Sequence, residues 1–134
     1  MRPKLLLRIA SILMLLHTVG HTFGILSSDN PPTPEIAKVM KDMKETHFMF
    51  MGRSVTIASF DKGYGITLIF VLLMVTVLLW LVSNDPVNRM SRKILPVLGV
   101  FLLLLSLTEY IYFFGFAASI SLLAGLLVVW AFFG

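Results

Sequence analysis

The stretch ILPVLGVFLLLLSLTEYIYFFGFAASISLLAGLLVVWAFF, residues Ile94–Phe133, decides the fold of this chain, because its forty residues carry one formal charge, Glu109. A bilayer core about 30 Å thick is crossed by roughly 20 apolar residues in a helix. The stretch is therefore too long for one crossing and long enough for two. We predict a tight helical hairpin whose turn lies at Tyr112–Phe116, where interfacial aromatic residues surround Gly115.

Two further apolar runs, Leu5–Leu26 and Tyr64–Val82, precede this stretch. The sequence thus predicts an all-α fold, a four-transmembrane-helix bundle that forms a single membrane domain over residues 1–134. The predicted spans are 5–26, 64–82, 94–112 and 117–133, and the segment 27–63 lies outside the membrane. An uncleaved first helix is favoured over a signal peptide, because no small-x-small cleavage site follows and the apolar character resumes at Ile25.

The composition agrees with a membrane protein. Hydrophobic residues make up 57% of the chain and charged residues 13%, against about 25% charged in soluble domains. The absence of cysteine excludes disulfides, thiolate metal sites and thiol nucleophiles. The net charge of +4 is explained by basic residues at the membrane surfaces, so no nucleic-acid partner is expected. No cofactor is predicted.

Basic residues in short segments predict the orientation. They flank the first span and fill the link between spans two and three: Arg2, Lys4, Arg8, Arg89, Arg92 and Lys93. The link between spans three and four contains no Lys or Arg, whereas the segment 27–63 has five basic residues beside five acidic ones. Because the positive-inside rule counts Lys and Arg in short loops, we predict that both termini are cytoplasmic.

The segment between spans one and two is predicted to contain an amphipathic helix. Thr33 is suited to cap it, and Pro34 to its first position. Apolar positions then recur at helical spacing from Ile36 to Phe50, and Gly52 is a suitable stop. The helix is too charged to span a bilayer, so we predict that it lies at the membrane interface. Arg53–Phe60 is predicted to be an extended connector, because one isolated strand is not stable.

Ionisable groups inside a membrane span are costly, so each one is a candidate functional residue. With spans one and three starting at Leu5 and Ile94, a rise of 1.5 Å per residue places His17, His21 and Glu109 about 18, 24 and 22 Å from the inner boundary. His21 and Glu109 are therefore expected to lie level in the outer half of the membrane. The predicted polar cluster is His17, His21, Glu109, Tyr64, Tyr110 and Tyr112.

These residues could form a metal site or have a structural role. His17 and His21 have the i,i+4 spacing of zinc ligands, and Glu109 would supply a third ligand. The zinc motif, however, places Glu after the first His, where this chain has Thr18. We predict no metal; the imidazoles instead bond to neighbouring helices or to Glu109.

Small residues recur along two of the predicted spans, which lets helix backbones approach closely. We expect them to mediate helix packing within the bundle. The predicted packing residues are Gly20, Gly24, Ala117, Ser121 and Gly125.

Three motifs carry a resemblance to a known family: Leu7-Arg8-Ile9-Ala10 leading to Gly20-His21-Thr22-Phe23-Gly24, the Gly52-Arg53-Ser54 turn, and Gly63-Tyr64-Gly65 at the start of span two. The chain resembles a family of small bacterial four-pass inner-membrane proteins of unassigned function. The resemblance covers most of the chain and implies a location in the bacterial inner membrane. It implies no reaction.

Three functions compete at this point. The favoured hypothesis is a non-enzymatic bundle that binds a lipid, a quinone or a protein partner near the outer leaflet. The alternative is a membrane enzyme that acts on a lipid-like substrate with His21 and Glu109 as an acid–base pair. A transporter or channel subunit would require oligomerisation. The expected partners are membrane lipid and either a small hydrophobic ligand or a membrane protein, and homo-oligomerisation is left open.

Overall fold

The computed structural model describes residues 2–134. Within this range the chain forms five helices and one two-stranded hairpin. The elements, in chain order, are α1 (Pro3–Ser27), α2 (Pro34–Glu45), β1 (His47–Phe50), β2 (Arg53–Thr56), α3 (Ile57–Asn84), α4 (Arg89–Tyr112) and α5 (Gly115–Phe133). Four of the described helices, α1, α3, α4 and α5, are long and apolar enough to cross a membrane. The predicted number of spanning helices is therefore confirmed.

The chain divides into two compact units. The bundle unit comprises residues 2–19 and 71–134, and the hairpin unit comprises Gly20–Phe70. The core of the bundle unit takes apolar side chains from all four long helices, such as Leu7, Leu79, Leu102 and Val128. These side chains recur at helical spacing, so each helix contributes one stripe to the core. The bundle unit is therefore a four-helix bundle.

Helices α4 and α5 pack closely because small residues line their contact. A Cβ atom on Gly125 would lie 3.1 Å from the Leu103 Cδ2 atom, and one on Gly99 would lie 3.2 Å from the Val129 Cγ2 atom. The Ser106 hydroxyl donates to the Ala118 carbonyl at 2.9 Å. Only two residues, 113 and 114, separate the two helices, as the predicted tight hairpin requires.

Helix α3 begins at Ile57, seven residues before the predicted start at Tyr64. Its first turn is closed by reciprocal hydrogen bonds: the Ser59 amide donates to the Thr56 hydroxyl and the Thr56 amide donates to the Ser59 hydroxyl, each at 3.1 Å. This capping box satisfies amides that would otherwise lack partners. Asp61 and Lys62 are exposed in the early turns, where their charges are easily solvated, so they do not interrupt the helix.

The hairpin unit contains the part of the chain that the sequence predicted least well. Thr33 caps α2 as predicted, with its hydroxyl accepting from the Ile36 amide at 3.3 Å, but the helix ends at Glu45 instead of continuing to Phe50. The following residues form β1, which pairs with β2 in an antiparallel register that places Phe50 opposite Arg53. The predicted isolated connector thus has a partner strand. The placement of α2 at a membrane interface stays a prediction.

Helix α2 ends before Thr46, its cap residue, whose backbone is extended, and the turn of the hairpin follows five residues later. Met51 and Gly52 connect the two strands and have φ angles of 46° and 80°. Two consecutive positive φ angles match the right-handed twist of paired strands and cannot continue a right-handed helix. An ion pair between Lys44 Nζ and Asp29 Oδ1, 2.6 Å apart, also ties the end of α2 to the segment that follows α1.

Candidate functional site

A group of buried polar side chains lies in the core of the bundle unit. The Nε2 atom of His17 lies 3.3 Å from the Oε1 atom of Glu109, and its Nδ1 atom lies 3.2 Å from the Oγ atom of Ser121. His17, Glu109 and Ser121 are 7%, 3% and 0% exposed, respectively. We refer to these three residues as the buried polar cluster. It joins helices α1, α4 and α5.

Each member of the cluster continues the core stripe of its helix. His17 follows Ala10 and Met14 on the buried side of α1, and Ser121 lies one turn after Ala117 on α5. Glu109 lies one turn after buried Ser106 on α4. Because these positions face the core, the fold brings the three polar side chains together among apolar neighbours.

The imidazole of His17 bridges a hydroxyl and a carboxyl group, and two hydrogen arrangements are compatible with these two contacts. In one, Nε2–H donates to a Glu109 carboxylate and the Ser121 hydroxyl donates to Nδ1. In the other, a Glu109 carboxylic acid donates to Nε2 and Nδ1–H donates to Ser121. The Oε2 atom of Glu109 is also buried and forms no hydrogen bond with a described residue. The cluster can therefore hold and exchange a proton between imidazole and carboxyl group.

The partner of Glu109 is thus His17, whereas the sequence predicted that His21 would lie level with it. His21 is in the hairpin unit, where its Nε2 atom lies 3.0 Å from the Gly65 carbonyl oxygen. A carbonyl oxygen only accepts, so this contact requires a hydrogen on Nε2. The predicted depths of His17 and Glu109, about 18 and 22 Å, differ by less than one helical turn of about 5.4 Å, so a count of residues does not distinguish His17 from His21 as the partner of Glu109.

The metal hypothesis required His17, His21 and Glu109 to converge. Among residues 2–134, no group of three His, Cys, Asp or Glu side chains is arranged to hold a metal ion. Three protein ligands are the usual minimum for a catalytic zinc site. The described geometry therefore gives this hypothesis no support.

The remaining predicted site residues lie apart from the buried polar cluster. Tyr110 and Tyr112 are exposed on α4, and Tyr64 is exposed on the part of α3 that belongs to the hairpin unit. Gly20 and Gly24 are exposed, and a Cβ atom at either would meet no other described atom within 4 Å. The three predicted packing residues of α5 are all buried in the bundle unit: Ala117, Ser121 and Gly125.

A pocket in the hairpin unit was not predicted. It has a volume of about 530 Å³ and lies between the hairpin and the first turns of α3. We call it the aromatic pocket; its lining residues are Phe50, Met51, Arg53, Val55, Ser59, Phe60, Gly63, Tyr64 and Thr67. The signal in the sequence was Gly52 between a run rich in aromatic residues and a run that contains β-branched residues, since a glycine between two such runs is compatible with a β-hairpin.

Phe60 is the centre of the aromatic side chains in this pocket. Its ring centroid lies 5.3 Å from that of Phe50, with the rings at 87°, and 6.2 Å from that of Tyr64. The Phe48 ring stacks on Phe60 at 6.0 Å. Edge-to-face and offset aromatic contacts of this kind stabilise the apolar wall to which Phe50, Phe60 and Tyr64 contribute. The volume is within the range of about 300–1,000 Å³ that is usual for small-molecule sites.

A second, smaller cavity of about 260 Å³ lies in the same unit, lined partly by Met40, Met43 and the Asp29–Lys44 ion pair. Hydrogen bonding to Lys44, with the attraction of its charge, lowers the pKa of Asp29. The two charges compensate each other, so this cavity has a weaker electrostatic preference than the aromatic pocket.

Comparison of the chain with protein-family models, curated proteins and solved structures finds no match.

Proposed function

We propose that the chain is a non-enzymatic, multi-pass protein of the bacterial inner membrane that binds a lipid-like molecule near the outer leaflet. The observation that carries this proposal is the aromatic pocket. Its walls combine aromatic and aliphatic side chains with a few polar groups, which is the usual chemistry of a site for an amphiphilic molecule. The pocket includes the start of α3, a helix apolar enough to enter the membrane.

Two contacts in the bundle unit support the orientation. The Arg8 guanidinium carbon lies 4.8 Å from the centre of the Trp80 ring, and that of Arg92 lies 5.4 Å from the centre of the Phe132 ring. These contacts join the beginning of α1 to the end of α3 and the beginning of α4 to the end of α5. The basic residues of the N-terminus and the α3–α4 link are thus at one end of the bundle unit, which the positive-inside rule assigns to the cytoplasm.

This orientation puts the loop between α1 and α3 on the outer side of the membrane. The apolar side chains Ile36 and Val39 are exposed on α2, whose polar side carries the Lys41–Glu45 pair. An amphipathic helix with exposed apolar residues is suited to lie in the headgroup region. We infer that α2 does so, beside the point where the chain enters the membrane as α3.

The proposal is tested by the lipids that the protein retains. The full chain is purified from membranes with its native lipids, and native mass spectrometry measures the fraction of protein that carries one lipid. Phe60→Ala removes the centre of the aromatic wall and is expected to reduce this fraction several-fold. Phe113→Ala is the matched control, because Phe113 is an exposed aromatic residue outside the pocket. Equal lipid retention in the two variants would overturn the proposal.

The alternative, a membrane enzyme with an acid–base pair, is favoured by one observation: the contact between His17 and Glu109. The pair would then be His17 and Glu109 in place of His21 and Glu109. All three members of the buried polar cluster are more than nine-tenths buried, so a substrate has no direct access to them in this conformation. Turnover of a lipid extract that disappears in Glu109→Gln at unchanged protein level would favour the enzyme.

A further inference from the structure

We propose that the aromatic pocket selects anionic lipids, with Arg53 binding the phosphate group and the apolar wall contacting an acyl chain. This inference rests on the proposed function and specifies its ligand. Among the described residues, Arg53 is the only charged one that lines the pocket. A guanidinium group presents several N–H donors in a planar arrangement that matches the oxygens of a phosphate.

Arg53 is available for such a ligand because the described acids do not neutralise it. Among residues 2–134, the ion pairs of the hairpin unit are Lys41–Glu45 and Lys44–Asp29, and neither includes Arg53. Arg53 is also exposed, so its side chain is accessible to a phosphate from solvent. A pocket with one uncompensated positive charge attracts an anion and disfavours a cationic headgroup.

The hairpin fixes the position of the Arg53 backbone. Arg53 is the first residue of β2 and pairs with Phe50 across the Met51-Gly52 turn. Phe50 in turn contacts Phe60 on α3. Strand pairing therefore connects the Arg53 backbone to Phe50, and ring packing connects Phe50 to Phe60 in the aromatic wall. A positioned charge of this kind costs less entropy to order on binding than one on a free loop.

The other polar groups of the pocket leave the headgroup contact to Arg53. The Thr67 hydroxyl donates to the Gly63 carbonyl at 2.9 Å, and the Ser59 hydroxyl donates to the Thr56 carbonyl at 2.7 Å. Both hydroxyl hydrogens are thus used within the protein, and the exposed Tyr64 hydroxyl is the remaining side-chain donor. The lining residues that the structure describes include no carboxylate that could bind the ammonium group of a zwitterionic lipid.

The pocket also has a direction that suits an amphiphile. Arg53 is on the hairpin, whereas Phe60, Tyr64 and Thr67 follow one another along α3. From Phe60 to Thr67 the helix rises about 10 Å, toward its more apolar part. A phosphate at Arg53 would therefore leave an attached chain lying along the side of α3 that the aromatic residues occupy.

The test compares two probes with the same oleoyl chain, lysophosphatidylglycerol and lysophosphatidylcholine, on the full-length protein in a neutral detergent. Native mass spectrometry measures the apparent Kd of each. A charge-assisted contact predicts a preference for the anionic probe of about tenfold. Arg53→Gln is expected to remove this preference, and Arg53→Lys to retain part of it. Lys62→Gln is the matched control, because it makes the same change in net charge outside the aromatic pocket.

The outcomes separate this inference from the proposed function. Binding of both probes with equal affinity, unchanged by Arg53→Gln but weakened by Phe60→Ala, would overturn the anion selectivity and leave lipid binding intact. Equal loss of preference in Lys62→Gln would also overturn it, since net charge alone would then explain the effect. Failure of both probes to bind would overturn the proposed function as well. Displacement of the anionic probe by millimolar inorganic phosphate would reassign Arg53 to a free anion and overturn the lipid assignment.

Discussion

The contact between His17 and Glu109 makes a prediction about stability that a double-mutant cycle can measure. Replacing either residue by alanine leaves the other buried with one partner fewer, and an unsatisfied buried polar group costs about 1–3 kcal/mol. Each single substitution is therefore expected to destabilise the folded protein. The double substitution removes both polar groups, so it should cost less than the sum of the two.

The structure limits the size of the coupling. The Nε2–Oε1 distance of 3.3 Å is longer than the usual 2.9–3.0 Å of N–H···O bonds, which points to an ordinary contact and not a strong one. Polar contacts between membrane helices average about 0.6 kcal/mol in double-mutant cycles and reach about 1.7 kcal/mol. Both residues here are more than nine-tenths buried, so we expect a coupling free energy of about 1 kcal/mol, within this range.

The assay is reversible unfolding in mixed micelles with increasing SDS, followed by circular dichroism. His17→Ala, Glu109→Ala and the double variant give the coupling. His17→Ala combined with Ser83→Ala is the control, because Ser83 is buried far from His17. Ser83 donates to the Trp80 carbonyl, and the Trp80 ring contacts Arg8, which lies about two and a half turns before His17 on α1. This control pair should be additive within about 0.5 kcal/mol. A His17–Glu109 coupling no larger than the control value would refute the assigned contact.

Three further results are expected. Gly125→Leu should destabilise the bundle unit by about 1–3 kcal/mol in the same unfolding assay, because its Cβ would lie 3.1 Å from Leu103, and unchanged stability would contradict the close helix contact. Gly52→Val, at a φ of 80°, should increase amide exchange in the hairpin without changing it in α5; equal protection before and after would argue against the turn. The pKa of Asp29 is lowered in the folded protein, so its pair with Lys44 contributes full stability at pH values above the ordinary aspartate pKa of about 4. This contribution is lost as the pH falls through the lowered pKa of Asp29 in the folded protein. Lys44→Met should therefore raise the pKa of Asp29 in an NMR titration, and an unchanged pKa would exclude the pair.

The sequence predicts the four long helices well because their signal is the length of the apolar run, which depends little on tertiary contacts. Their ends are less predictable. Asp61 and Lys62 were interpreted as residues outside the second span, but charged side chains remain helical when they are solvated. The start of α3 at Ile57 depends on the reciprocal hydrogen bonds of Thr56 and Ser59.

The hairpin and the pairing of Glu109 required three-dimensional information. Apolar residues from Ile36 to Phe50 fit a helical period, so periodicity alone did not reveal the strand that begins at His47. The positive φ angles at Met51 and Gly52 favour a hairpin turn over a continued helix at these two positions. For Glu109, the count of residues gives depth to within one turn, which is not enough to distinguish His17 from His21 on the same helix.

The two-residue connection between α4 and α5 has a consequence for how the protein is made. Residues 113 and 114 are both phenylalanine, so the connection itself adds no charged side chain to the one, Glu109, that must be transferred into the hydrocarbon layer when these helices are inserted. Both helices are apolar, and their small residues allow close pairing as soon as the second one leaves the ribosome. The final third of the chain can therefore enter the bilayer as one preassembled insertion unit, whereas α1 must wait for the synthesis of a long polar segment before its neighbour α3 arrives.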